Sequence, residues 1–494
     1  MFKDATITQI DEVMKSAQAA FRVYRKISLK ERAELMRAIA REMEALGDEL
    51  IRVAGEETHL PEARLRGERA RTIYQLNSYA DACERGDWLE ARIDTAVADK
   101  APPKPDIRKM LVPLGPVVVF GASNFPFAYS TAGGDTATAL AAGCPVIVKA
   151  HPAHPQTSEL VAGAIHKAVA ACQLPEGVFS HVHGQSFEVG EALVNHRYTK
   201  AVGFTGSFTG GKQLFDWANQ RKEPIPVFAE MSSINPVFLM PEKMAVAAAE
   251  TARQYAGSIT LGVGQFCTNP GLLIGVEGSD LDQFIAVLGA EVKTIAPAAM
   301  LHEGICKNYV SKRDEALKQS GVEVVAISGI EPQDNQGIPT VVAVNGDTFI
   351  NNSVLHQEVF GPYSLVIKCK DIAQMTEVAR HIEGQLTATL MATDEDIKNH
   401  QALVDAVQDL CGRFILNGVP TGVEVCLSMH HGGPFPSTTD ARFTSVGADA
   451  IKRFARPVAY QNWSDSLLPD ELKNGNPLHI WRTVNDVLSQ EPVV

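Results

Sequence analysis

Two hydrophobic periodicities alternate along this chain. Over the first ninety residues apolar positions recur every three or four residues, the spacing of helices. Ser28 and Glu31 have the spacing of a capping box, in which the hydroxyl accepts from an orphan backbone N–H and the carboxylate reaches back. Leu35, Ile39, Met43 and Leu46 follow at helical intervals. Residues 91–116 break the pattern. ARIDTAVADK and IRKMLVP read as exposed strands around the proline-rich turn APPKPD, a hairpin with little to bury alone. From Val117 short apolar runs take over, at Val117–Phe120, Val146–Val148, Val178–Val182, Ala201–Phe204 and Pro226–Phe228. Helical stretches lie between them, at Thr131–Ala142, Thr157–Ala171, Glu188–Asn195 and Gly211–Asn219. A second alternating set, from about 241 to 420, places strands near Leu272–Val276, Leu365–Ile367, Thr387–Met391 and Arg413–Leu416. Apolar strands alternating with helices predict parallel sheets covered on both faces. The expected fold is α/β, with two parallel-sheet domains and a small β arm. Residues 1–90 with 114–234 form one domain and 235–448 the other. Residues 91–113 and 449–494 supply the arm and tail, with AIKRFA as a helix, VAYQNWS as a late strand and an irregular polar end.

Composition narrows the partners. The 494 residues are 45% hydrophobic and 21% charged, ordinary globular values. Lys and Arg number 45 against 58 Asp and Glu, a net charge of −13. That balance disfavours nucleic acid and anionic membranes, which reward clustered positive charge. No run approaches the ~20 apolar residues of a membrane helix. The opening MFKDATITQIDE has acidic residues and no apolar core, so it does not read as a secretory signal. Eight cysteines are scattered without a CxxC or a zinc spacing. The expectation is a cytoplasmic protein with reduced thiols and no metal site. His181 and His183 can share a strand face, but a metal needs more ligands.

Open parallel sheets bind ligands at the carboxyl ends of their strands. Four strand ends carry unusual residues. After Phe120 a glycine turn leads to Asn124, whose amide can donate to an oxyanion; alone, it is also an ordinary turn residue. Lys149 ends the run Val146–Val148 and can reach a ribose or phosphate, although a solvated lysine is the commoner case. Gly206 and Ser207 begin a turn running to Gly211, the strand–turn–helix geometry that aims backbone N–H groups at phosphate. It is neither GxGxxG nor a Walker loop. Glu230 ends an apolar strand. Burial there should raise its carboxyl pKa and suit it to act as a general base. Beyond these, Cys267 lies at a polar, glycine-flanked junction, unlike a structural cysteine, and is a candidate nucleophile. A thiol nucleophile, a carboxylate base, an amide donor and a dinucleotide-type domain together fit aldehyde oxidation through a thioester.

The set resembles the aldehyde dehydrogenase superfamily over nearly the whole chain. SNFPF (123–127), VKAHP (148–152), FTGS (204–207), FAEMSSINP (228–236), GQFCTNP (264–270) and HQEVFGP (356–362) stand in the family's order. EMSSINP, GQFCTNPG and PFPSTTDARFTSVG are similar to a bacterial branch that contains α-ketoglutaric semialdehyde dehydrogenases and NADP-dependent fatty-aldehyde dehydrogenases. The resemblance implies Cys267 as nucleophile and Glu230 as base. It implies Asn124 and the Cys267 N–H as the oxyanion hole. It also implies Lys149 at the adenosine ribose, and Gly206 and Ser207 near the pyrophosphate. Glu358 would hold the nicotinamide ribose, with Phe360 packed beside it. It makes residues 1–90 and 114–234 the dinucleotide-binding domain, 235–448 the catalytic domain, and the arm an oligomerisation element of a homodimer or homotetramer.

The substrate so implied is α-ketoglutaric semialdehyde, with a medium- or long-chain aliphatic aldehyde as the alternative. NAD-preferring relatives often carry Glu three residues after the lysine. Here Pro152 stands there, which favours NADP with NAD accepted. A thiol-accepting, CoA-acylating enzyme would not need Glu230. A cysteine hydrolase would need a histidine such as His430 or His431 and would leave the dinucleotide domain idle. A non-catalytic relative should have lost Cys267 or Glu230. For a substrate carboxylate the candidate partners are Arg442, Arg69 and Arg71.

Overall fold

The computed structural model describes residues 2–493. Four helices fill the first ninety residues. Ser28 caps helix Leu29–Ala45 in a full capping box with Glu31, and that helix buries Leu35, Ile39 and Met43 against helices Glu62–Arg85 and Pro155–Ala171.

Strands Val117–Phe120, Val146–Lys149, Phe179–Val182, Ala201–Thr205 and Val227–Glu230 form one parallel sheet. The strand Val117–Phe120 is buried along its whole length, as a central strand covered on both faces must be. Its neighbours are Val146–Lys149 on one side and Ala201–Thr205 on the other. The connection therefore reverses direction beside it, and a crevice opens above the ends of these strands. Register aligns Phe120 with both Lys149 and Phe204, and Thr205 with Glu230. The strand ends that carry the four candidates thus lie side by side.

A second sheet of seven strands has Leu272–Val276 at its centre and Val237–Leu239 beside it, between Leu272–Val276 and Gln385–Met391, with Cys411–Leu416 at one edge. Only residues 231–236 separate the two sheets. The segment before Cys267 turns sharply. Gly262, Val263 and Gly264 all have left-handed φ, 54°, 59° and 64°. A Cβ on Gly264 would sit 2.2 Å from the Gly361 carbonyl oxygen, so only glycine fits. Val263 is β-branched, and such residues rarely adopt this backbone.

Two expectations need correcting. The tail is not irregular. Strand Arg482–Val484 runs parallel to Arg92–Asp94 and pairs with Val487–Ser489, giving one five-stranded sheet with Ile107–Pro113 and Ala455–Gln461. These strands are too short to show alternation. Their signal is the Asn485–Asp486 turn, where both residues have positive φ as a tight hairpin requires. AIKRFA forms a 3₁₀ turn, Ala448–Phe454, and not an α-helix.

Candidate functional site

A cleft of about 850 Å³ lies at the ends of the first sheet and reaches the second. That volume is at the upper end for small-molecule sites. Its walls include Asn124, Gly206, Ser207, Glu230, Cys267, Glu358 and Phe360. Gly211 stays out of the wall. It is buried, and a Cβ there would strike Met231 at 2.6 Å, so it serves close packing. Lys149 and Pro152 lie further along. The Lys149 Nζ donates to the Gly184 carbonyl at 2.9 Å. Burial pushes its ammonium down to about 8, against the attraction of Asp4. Pro152 lines a separate cavity of about 220 Å³ with Phe2, Asp4, Glu57 and His183.

Helix Phe208–Gln220 begins in the cleft. Ser207 caps it, accepting from Gly210 N–H at 3.2 Å. Gly206 N–H is held by the Glu230 carbonyl at 3.0 Å, which ties the turn to the neighbouring strand end. Glu358 is half-buried; burial pushes its carboxyl up to about 7, against hydrogen bonds from Ser232 and the Ser233 backbone.

Cys267 and Glu230 hydrogen-bond each other and share a third residue. His431 Nε2 lies 3.1 Å from Glu230 Oε1 and 3.6 Å from Cys267 Sγ. His431 is buried, and its peptide N–H is fixed by the Thr444 hydroxyl at 2.9 Å. Ser445 donates to the other Glu230 oxygen at 3.1 Å. Sequence reasoning singled out the His430–His431 pair only for a different chemistry. The contact spans 164 residues to Cys267 and 201 to Glu230, so no local spacing signals it.

The electrostatics invert the sequence expectation for Glu230. Burial raises its carboxyl, but the His431 charge and hydrogen bond, with donors from Ser445 and Cys267, outweigh it and leave it below its ordinary value. Burial and then the Glu230 carboxylate push the Cys267 thiol well above its usual range, while Arg71 pulls it down. The resting pair is a carboxylate beside a protonated thiol.

The Cys267 loop is anchored by Asn235, itself in a left-handed conformation (φ 51°). Its Nδ2 donates to the carbonyls of Cys267 at 2.9 Å and Asn269 at 3.0 Å. Its Oδ1 accepts from the hydroxyls of Ser233 at 2.9 Å and Thr387 at 3.0 Å. Gln385 Oε1 accepts from Ile234 and Asn235 N–H at 2.6 and 3.0 Å. Asn124 is buried at the cleft, its Nδ2 on the Gln265 carbonyl at 3.1 Å, and Arg64 holds its own carbonyl at 2.7 Å.

Of the arginines considered for a carboxylate, Arg442 forks onto Asp440 at 2.6 and 2.8 Å and is exposed. Arg69 donates to the Gly47 carbonyl at 2.7 Å. Arg71 alone turns toward Cys267, reaching the Tyr129 hydroxyl at 3.3 Å. Outside the cleft wall, His181 and His183 both reach Glu159, at 3.2 and 2.9 Å.

Comparison with known proteins agrees with this architecture. The chain is 46% identical over 493 residues to alpha-ketoglutaric semialdehyde dehydrogenase of Acinetobacter baylyi, covering 99% of this chain and 93% of that one. It is 47% identical over 483 residues to alpha-ketoglutaric semialdehyde dehydrogenase 2 of Azospirillum brasilense, covering 98% and 92%. The crystal structure of methylmalonate-semialdehyde dehydrogenase from Oceanimonas doudoroffii superposes with a TM-score of 0.79 at 19% identity, covering 94% of this chain and 92% of that one, which establishes the shared fold. The aldehyde dehydrogenase family profile matches residues 1–456, and the chain belongs to that family of NAD(P)-dependent enzymes.

Proposed function

We propose that this chain oxidises α-ketoglutaric semialdehyde to 2-oxoglutarate through a thioester on Cys267. The observation that carries the chemistry is the buried contact of Glu230, His431 and Cys267 at the floor of the cleft. The substrate reading is supported by relatives of that name at 46% and 47% identity over almost the full chain.

The cleft fits a nicotinamide dinucleotide. Lys149 would hold the adenosine ribose, and the turn at Gly206–Ser207, opening a helix, suits the pyrophosphate. Glu358 and Phe360 would take the nicotinamide end. When bound, the cofactor accepts the hydrogen and electron pair that leave the aldehyde carbon. The chain's residues do the rest. The Cys267 sulfur bonds to the aldehyde carbon while its proton passes into the Glu230–His431 pair. Asn124 Nδ2 and the Cys267 N–H donate to the carbonyl oxygen, where loss of one such donor typically costs about 10²–10³ in rate. Once the thiol proton has passed to solvent, Glu230 takes a proton from water, whose oxygen attacks the thioester carbonyl; the acid is released and the departing Cys267 sulfur regains a proton from Glu230. A carboxylate base retained beside the sulfur favours water over a thiol acceptor.

NADP is proposed to be used at least as efficiently as NAD. At 152 a proline replaces the glutamate that would repel a 2′-phosphate of about −1.5 to −2 charges. The other carboxylates of that cavity are engaged. Asp4 accepts from Gln185 and Ser186 N–H at 2.8 and 3.0 Å, and Glu57 from Gln156 and Thr157 N–H at 2.9 and 2.8 Å. A homodimer or homotetramer is proposed because the arm sheet ends in unpaired strand edges. Trp463, Leu467, Trp481, Val487 and Leu488 stand 48% to 67% exposed along it.

The chemistry is tested with Cys267→Ala and Glu230→Gln. Cys267→Ala should bind cofactor but retain less than about one percent of turnover. Glu230→Gln should give a rapid burst of reduced cofactor followed by slow turnover. Equal loss of burst and steady-state rate counts against Glu230 as the deacylation base. His431→Asn removes the partner that helps hold Glu230 low. Because Glu230 works as the carboxylate, the acidic limb of the kcat profile should move to higher pH; an unmoved limb removes His431 from the relay. Pro152→Glu should shift the NADP/NAD ratio of kcat/KM toward NAD by about tenfold or more, the change that ~1.4 kcal/mol produces. A wild type that prefers NAD tenfold overturns the role of Pro152. Light scattering at micromolar concentration should give a multiple of the chain mass, and a stable monomer contradicts the arm's assigned role.

A further inference from the structure

Among the described residues, two groups of three metal-ligating side chains bring their donor atoms within 4.8 Å of one another. One is Glu230, Cys267 and His431 of the cleft. The other is Glu159, His181 and His183, outside the cleft wall. His181 lies on strand Phe179–Val182, and His183 follows its last residue. Two positions apart on extended chain, their imidazoles stand on one side. Helix Pro155–Ala171 packs on this strand and carries Glu159. Two histidines alone are too few to hold a metal. The fold supplies the third donor from an element 24 residues away from His183.

The donor geometry is close to that of a tetrahedral site. One carboxylate oxygen, Glu159 Oε2, lies 3.2 Å from His181 Nδ1 and 2.9 Å from His183 Nε2. With zinc–ligand bonds of about 2.0–2.1 Å, neighbouring donors of a tetrahedron stand about 3.3 Å apart. Slight spreading therefore admits a cation among the three atoms. The far side of His181 is already fixed. Its Nε2 lies 2.8 Å from the Ser158 hydroxyl, which lies 2.5 Å from Thr131 Oγ1; Ser158 and Thr131 are both buried. A proton on Nε2, donated to Ser158, leaves the Nδ1 lone pair for a metal. Metal-bound histidines are commonly oriented by such a bond from the second ring nitrogen. The His183 ring is fixed by stacking on Phe2, with centroids 4.1 Å apart and planes 17° from parallel. Glu159 keeps 55% of its side chain exposed, while His181 and His183 keep 5% and 17%. The set is thus held from within and entered from solvent.

We propose that Glu159, His181 and His183 form a binding site for a divalent first-row transition cation of the zinc type, with water completing its coordination. Two imidazoles and one carboxylate suit zinc and its neighbours in the series, whereas calcium and magnesium call for oxygen ligands. The site takes no part in the thioester chemistry and stands independently of the aldehyde and cofactor assigned above. A cation there ties helix Pro155–Ala171 to the end of strand Phe179–Val182. The residue after His183 is Gly184, whose carbonyl accepts from Lys149 Nζ at 2.9 Å, so the brace acts on the segment that positions Lys149.

The test is zinc binding to the untagged, chelator-treated full chain without cofactor. A Cys267→Ala background keeps the cleft group from contributing its thiol. Calorimetry should show one equivalent of zinc bound, and Tm should rise with added zinc. In the same background Glu159→Gln and His183→Gln should each weaken binding at least about a hundredfold, since even an outer partner of a metal ligand is worth about tenfold to a hundredfold. The zinc-dependent rise in Tm should vanish with them. Ser158→Ala should weaken binding about tenfold, by freeing the His181 ring. Cobalt(II) in place of zinc should give ligand-field bands without the charge-transfer band of a thiolate ligand. Absence of binding at micromolar zinc, binding unchanged by Glu159→Gln, or a thiolate band with cobalt overturns the proposal. Glu159 is exposed and its replacement leaves the core intact, so Glu159→Gln decides the test where another variant does not fold.

Discussion

Everything chemical in this molecule hangs on the short crossing between its two sheets, residues 231–236. Glu230 ends the last strand of one sheet, and Val237 begins a central strand of the other. The crossing is fixed by hydrogen bonds rather than by packing alone. Gln385 accepts its N–H groups, and Asn235 bridges it to the Cys267 carbonyl. Asn is among the few residues that tolerate the left-handed backbone found there. Glu230, at the end of one sheet, and Cys267, in the loop before a strand of the other, are thereby held in one frame, as the proposed base and nucleophile require.

The histidine between them changes how the pair is understood. A buried glutamate by itself would be neutral and a poor base. With His431 and Ser445 on its two oxygens, the same glutamate is held as a carboxylate in a place that would otherwise reject charge. The cost falls on the cysteine, whose proton is harder to remove beside that negative charge. Base strength and thiol acidity are thus linked through one imidazole.

The sheets, their strand ends and the motifs on them were legible because a buried parallel strand is a continuous apolar run and its exit is a glycine turn. Phe120, Lys149, Thr205 and Glu230 fall where the patterns end, and their convergence follows from sheet order. The short strands of the tail were not legible, since three residues are too few for a period. His431 was legible only as the base of a hydrolase, for another reason. Its meaning comes from partners far away in sequence, and nothing in SMHHGG distinguishes a residue of the cleft from a filler. The sign of the Glu230 shift failed similarly: burial can be read from an apolar run, but the neighbours that offset it cannot.

The raised thiol has a consequence outside turnover. Peroxide and electrophiles attack sulfur as the thiolate, so a cysteine held protonated by burial and an adjacent carboxylate is a poor target for both. Between catalytic cycles the most reactive atom of the enzyme is kept chemically quiet. Damage by oxidants therefore requires that the sulfur first be ionised while unoccupied, and a supply of aldehyde that keeps it in covalent use shields it further.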